Sequence, residues 1–264
     1  MGSQRMPYLR MNLPPKFGGL VLCAILAHPA AASADSASPE RRFGFTYPSL
    51  TAPVGEVEME TRGTWKNRPG ALRRFDFRHE IEMGLTPKTQ LALSVANWTY
   101  DARERGSLYR DTSLEIVHNL TNPLTDLLGS ALYAEAAVGD RSAGLEGKLI
   151  LEKRFGKWVA GWNGALEAEW GGDRFGDFQE PAGELTQSAG IAYDLTPGIS
   201  IGAELVHTLP LGKWHGPANP EVYAGPCLTF RQKYFHATLT ALFQTTERTD
   251  QPAIQLRSII GVEF

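Results

Sequence analysis

From about residue 54 to the carboxy-terminus, apolar residues recur at every second position. In the final stretch Ile254, Leu256, Ser258, Ile260, Val262 and Phe264 share one face, and Gln255, Arg257 and Glu263 lie on the other. A period of two is that of a β-strand with one apolar face. Residues 73–85 repeat it more sharply. Phe75, Phe77, His79, Ile81, Met83 and Leu85 alternate with Arg74, Asp76, Arg78, Glu80, Glu82 and Gly84. Residues 157–169 and 234–246 do the same, with Asn163, Glu167 and Glu169, and with His236, Thr238, Thr240 and Gln244, on their polar faces.

The pattern predicts twelve strands: 54–65, 73–85, 88–100, 109–119, 130–139, 144–155, 157–169, 183–194, 198–208, 220–231, 234–246 and 253–264. Each has about the length a tilted membrane strand needs. Connections after even strands are mostly short, as at Thr86-Pro87 and Gly156, with 120–129 the exception. Those at 101–108, 170–182 and 209–219 are longer and polar. Short turns at one end and long loops at the other predict an all-β fold, a closed antiparallel transmembrane barrel with its short turns periplasmic. A soluble sandwich would alternate too. It would not carry charges on the alternate face of so many strands while Trp65, Tyr100, Trp158, Trp170 and Tyr193 fall near strand ends, where an interfacial girdle belongs. Pro226, within a strand, predicts a bulge.

The amino-terminus reads as a cleaved signal over residues 1–34. Arg5, Arg10 and Lys16 precede an apolar run from Phe17 to Ala27, and Ala32-Ser33-Ala34 is a small-x-small cleavage site. Residues 35–53 form a periplasmic or lumen-inserted lead-in; an ordinary tail is favoured over a plug. The barrel then occupies 54–264. Average hydropathy cannot distinguish a barrel from a soluble protein, because lumen-facing residues cancel lipid-facing ones. Three of the 26 basic residues lie in the signal, leaving 23 against 29 acidic, about −6, which argues against a nucleic-acid partner. Only Cys227 follows the signal, so no intramolecular disulfide forms in the mature chain.

The patch Phe43-Gly44-Phe45-Thr46-Tyr47, the turn Leu120-Thr121-Asn122-Pro123 before Ala131-Leu132-Tyr133-Ala134-Glu135, and Ala224-Gly225-Pro226 give the chain a resemblance over most of its mature length. It resembles proteobacterial outer-membrane barrels grouped as transporter-like proteins of the phenol-degradation pathway type. The resemblance implies an outer-membrane barrel and carries over no catalytic or substrate residues.

The predicted lumen is charged and mostly acidic. Its acidic residues are Glu56, Glu58, Glu60, Asp76, Glu80, Glu82, Glu115, Glu135, Glu146, Glu152, Glu167, Glu169, Glu184, Asp194, Glu204 and Glu263. Its basic residues are Arg62, Arg74, Arg78, Lys148, Arg154, Arg231 and Arg257. Such a lumen is either plugged by ion pairs or a water-filled pore that attracts cations. Across the first hairpin, Arg62 is expected to pair with Asp76 and Glu60 with Arg78. That leaves Glu56, Glu58, Glu80 and Glu82 clustered; they could hold a divalent cation, but neutralisation by Arg257 is favoured, so no metal is expected. The mature histidines are His79, His118, His207, His215 and His236, and none has a Ser two residues on. His79, His118 and His207 fall on the lipid face, which speaks against a lipid hydrolase. With no Gly-rich phosphate loop or CxxC pair, no cofactor is expected. The expected partners are outer-membrane lipids, the barrel-assembly machinery through Phe264, and a small solute. A channel or transporter is the leading function, ahead of a non-conducting surface-binding barrel and then a hydrolase.

Overall fold

The computed structural model describes residues 41–264 apart from 71, 104, 174, 175, 178 and 215–218, and excepting the Lys213 side chain. The proposed signal over 1–34, the start of the lead-in and His215 lie outside the described residues. Twelve antiparallel strands form one closed sheet. They are β1 (Val57–Arg68), β2 (Leu72–Thr86), β3 (Thr89–Asp101), β4 (Gly106–Thr121), β5 (Gly129–Gly139) and β6 (Ser142–Phe155). Then follow β7 (Trp158–Gly171), β8 (Ala182–Thr196), β9 (Ile199–Leu211), β10 (Glu221–Gln232), β11 (Phe235–Gln244) and β12 (Ile254–Glu263). Each pairs with its sequence neighbours, and β1 closes on β12 from Glu58↔Glu263 to Asn67↔Ile254. Closure leaves no sheet edge and satisfies the backbone polar groups internally, as hydrocarbon demands.

Alternation sorts the two faces as the sequence requires. Leu93, Leu114, Leu132, Leu145, Leu166, Ile191 and Leu228 are exposed on the outside, while Glu60, Glu80, Glu115 and Thr240 are buried inside. A continuous belt of exposed apolar side chains around a closed sheet is stable only against lipid. His79, His118 and His207 alternate with buried inward residues. His79 bonds Thr61 and Trp98, and His118 bonds Thr89, both at the outer surface. Trp158 and Tyr193 meet edge to face at 4.9 Å near the short-turn end.

Two local expectations are corrected. The first hairpin is tighter than the alternation suggested, because β1 continues through Lys66, Asn67 and Arg68 and the chain turns at Gly70, φ +73°. The register therefore moves by one residue pair, and Arg62 faces Arg78 while Glu60 faces Glu80. At Pro226 there is no bulge. Ala224↔Phe243 and Cys227↔Thr240 keep one register on β11, and only the pairing between them is missing. Proline's absent N–H interrupts the ladder without shifting it.

Residues 41–53 are not a tail. Their partners sit on the inward faces of strands all around the ring: Asp194 for Arg42, Glu204 for Gly44, Asn163 for Tyr47, Glu152 for Ser49 and Gln90 for Ala52. Only a segment threaded through the lumen reaches them all. It leaves beside β2 at the short-turn end, where Gly55 N–H donates to Gly84 C=O at 2.9 Å.

Candidate functional site

The lumen has two parts, a filled zone occupied by residues 41–53 and an open vestibule on the loop side. The threaded segment has no regular structure, so its backbone groups need side-chain partners. Glu204 alone serves three of them in succession. Its carboxylate accepts from the N–H of Gly44 at 2.7 Å, Phe45 at 2.9 Å and Thr46 at 3.0 Å, and from Thr240 Oγ1 at 2.7 Å. Glu152 accepts from Ser49 N–H and Oγ and from Arg154. Asn163 Oδ1 accepts from Tyr47 N–H, and Gln90 Oε1 from Ala52 N–H, while Gln90 Nε2 donates to Glu82. Carbonyls are met as well, those of Arg41 and Arg42 by Thr238 and Thr229. Asp194 holds Arg42 in a bidentate pair at 2.9 and 2.8 Å.

Side chains of the segment dock equally well. Phe43 packs with Val159, Ala192 and Cys227. The facing residues Gly161 and Gly190 make room for it, since they are direct partners on β7 and β8. Tyr47 is ringed by cations. Arg41 and Lys148 each lie 4.1 Å from its centroid, Arg62 lies at 5.2 Å, and Arg62 also donates to its hydroxyl. Desolvated cation–π contacts of this kind contribute about 2 kcal/mol or more.

The inward charges form two systems. Near the segment, Glu60 pairs with Arg62 at 2.5 Å and Arg41 at 3.3 Å, and Glu80 with Arg62 at 3.1 Å. Arg78 joins Glu80 at 2.6 Å, Glu115 at 3.2 Å and Glu135 at 3.1 Å. The carboxylates around Glu60 and Glu80 are thus neutralised by Arg41, Arg62 and Arg78. Arg257 plays another part. It donates to Thr64 Oγ1 and Gly44 C=O and lies 3.7 Å over the Phe45 ring. Glu58 bonds His236 near the short-turn end. Glu56 stands just before β1, its carboxyl pushed up by burial and by Glu263 and Glu58. Arg231 lies 3.9 Å from Glu263. Glu58, Glu60 and His236, and Glu60, Glu80 and Glu82, have spacing a cation could bridge, but Arg41 and Arg62 already compensate Glu60.

A second system lines the vestibule. Glu115, Glu135, Glu146, Glu167 and Glu184 are direct cross-strand partners in one unbroken row from β4 to β8. Like charges placed opposite one another are destabilising, so such a row needs compensation. Arg78 bridges Glu115 and Glu135, and Lys148 pairs with Glu146 at 2.8 Å. Among the described residues Glu167 and Glu184 have no cationic partner; Glu184 accepts only from Thr186. Glu169 is exposed above Glu167. On the opposite wall Arg74 and Lys66 share the single carboxylate Asp76, at 3.1 and 2.9 Å. Arg110 is the extra residue of a β4 bulge, where Asn97↔Asp111 gives way to Trp98↔Tyr109, and so shares the lumen side with Asp111. The vestibule encloses about 470 Å³, floored by Phe45 and Tyr47, and its lining holds seven basic and six acidic side chains. Its walls are therefore divided by sign rather than uniformly acidic.

The lining charges were found by alternation, because alternation decides which way a side chain points. Alternation also placed Asn163, Thr238 and Thr240 on inward faces without marking them as partners of the segment; Gln90, Thr229 and the segment's own Arg41 and Arg42 were not singled out. The available signal was the aromatic patch at 43–47 together with glycines at the inward positions 161 and 190.

No protein-family model and no curated protein sequence matches this chain. Among solved structures, the COG4313 outer membrane channel from Pseudomonas putida F1 aligns with a TM-score of 0.59 at 14% identity, covering 82% of this chain and 98% of that one. The NanC porin aligns with a TM-score of 0.55 at 9% identity, covering 78% and 98%. The chain thus has the closed antiparallel barrel fold of these outer-membrane proteins.

Proposed function

We propose that the protein is an outer-membrane channel for small solutes, closed at rest by its own residues 41–53. The observation that carries this reading is the way the segment is held. Its backbone is fastened by side chains of the wall rather than by strand pairing, so it can leave without opening the barrel. Above it stands a vestibule of about 470 Å³, the size of a small-molecule pocket. The outward apolar belt supports the membrane location, and the similar solved structures, a channel and a porin, support passage. A cation preference from an overall acidic lumen is not part of the proposal, since the vestibule lining is nearly balanced in charge.

Planar-bilayer recordings on refolded protein test it. The intact mature chain should conduct rarely, and a variant lacking residues 41–53 should conduct steadily. If neither conducts, and neither passes solutes in liposomes, the barrel is a non-conducting one. A variant carrying Glu204→Gln and Glu152→Gln weakens the same contacts without removing chain, and should give intermediate openings.

A further inference from the structure

The vestibule's two walls are arranged by more than sign. In a ring of twelve strands, positions six strands apart are diametrically opposed. Arg257 on β12 is opposed to Glu146 on β6, Lys66 on β1 to Glu167 on β7, and Arg74 on β2 to Glu184 on β8. All six line the same cavity. Three adjacent strands carry cations and the three facing them carry carboxylates.

Part of this charge is cancelled locally. Asp76 neutralises one of Lys66 and Arg74, and Lys148 neutralises Glu146. What survives is balanced. Arg257 has no carboxylate partner among the described residues, and one charge of the Lys66–Arg74 pair is in surplus. Across the cavity Glu167 and Glu184 have no cation. On these two facing walls two surplus positive charges meet two surplus negative ones, too far apart to pair, while Arg110 and Asp111, neighbours on β4, add one charge of each sign. Strands ~4.8 Å apart and tilted by ~40° put opposite backbones ~24 Å apart in a twelve-stranded barrel. Long side chains shorten that gap but do not close it.

We propose that the vestibule is a binding site for a small zwitterion with its charges at opposite ends of an extended body. Its anionic end lies against Arg257 and the Lys66–Arg74 pair, and its ammonium end against Glu167 and Glu184. A ligand of one sign gains at one wall and is repelled by the other, whereas a dipolar one gains at both. The floor, with Phe45 and Tyr47, offers apolar surface to the carbon chain between the charges. This builds on the channel reading of the same lumen, naming what enters it.

Matched probes decide the matter: ε-aminocaproate, caproate and hexylammonium, of one chain length and differing only in charge. Binding to the intact mature protein in detergent is measured by calorimetry at fixed ionic strength. ε-Aminocaproate should bind about tenfold more tightly than either singly charged probe. A Glu167→Gln, Glu184→Gln variant should lose that preference and bind caproate better than the parent does. An Arg74→Gln variant should shift the balance toward hexylammonium. Equal binding of all three probes, or none, overturns the proposal, and the wild-type comparison alone gives that answer if a variant does not fold. The channel reading fails separately, by silence of both the intact and the segment-deleted barrel in bilayers. A silent barrel that still prefers ε-aminocaproate keeps the site, and a conducting one that shows no preference loses it.

Discussion

Phe43 occupies the space that a side chain on Gly190 would need: a Cβ on Gly190 would lie 2.6 Å from Cε1 of the ring. The barrel wall is hollowed where the segment passes. Gly190→Leu should therefore expel the segment, since overpacking of a tight contact costs about 1–3 kcal/mol. The expected result is raised bilayer conductance and faster tryptic cleavage at Arg41 and Arg42, with the folded barrel's heat-modifiable gel mobility unchanged.

Glu204 is the acceptor for three consecutive backbone N–H groups. Glu204→Ala leaves the N–H groups of Phe45 and Thr46 without their acceptor, at about 1–3 kcal/mol each, while Gly44 keeps a weaker bond to Thr240 Oγ1 at 3.2 Å. Hydrogen exchange should accelerate at Gly44, Phe45 and Thr46 well before it does in the strands. Unchanged protection there would show that the side-chain packing of Phe43 and Tyr47 alone holds the segment.

Arg78 is the single cation shared by Glu80, Glu115 and Glu135. Arg78→Met strands buried carboxylates, for which about 3–5 kcal/mol is expected. Urea unfolding in micelles should show a midpoint lowered accordingly. A double variant adding Glu115→Gln should recover part of the loss.

The Glu56 carboxyl sits above its ordinary range because of burial and the neighbouring Glu263 and Glu58. Its neutral form is favoured in the folded state, so its contribution is present at low pH and lost as pH rises through the raised value. Glu56→Gln should accordingly raise Tm at neutral pH relative to the parent and leave it unchanged near pH ~3, below the ordinary glutamate value. A difference in Tm independent of pH would remove titration of Glu56 as the cause.

Strand number, direction and facing were legible in the sequence because one physical rule governs all three: hydrocarbon outside, polar groups inside. Register was less so. The first hairpin was displaced by one pair, since Lys66, Asn67 and Arg68 carry no apolar alternation to mark the strand's continuation. That displacement separates an opposite-charge ladder from the observed facing of Arg62 with Arg78. The carboxylates of the vestibule row were each identified, but their alignment into one line across five strands depends on every intervening turn. The threaded segment stood only as one alternative, behind a tail, for a different reason. Residues 41–53 have no periodicity, and their partners Asn163, Gln90 and Thr240 are ordinary polar residues whose role appears only when the chain comes to them.

Cys227 lies 5% exposed beneath the ring of Phe43 and is the only thiol among the described residues. A water-soluble maleimide added to intact cells or proteoliposomes can reach that sulfur only while the ring is withdrawn. The native molecule thus carries its own chemical stopwatch, and the rate of alkylation reads out how often the segment lifts from the wall without any engineered label.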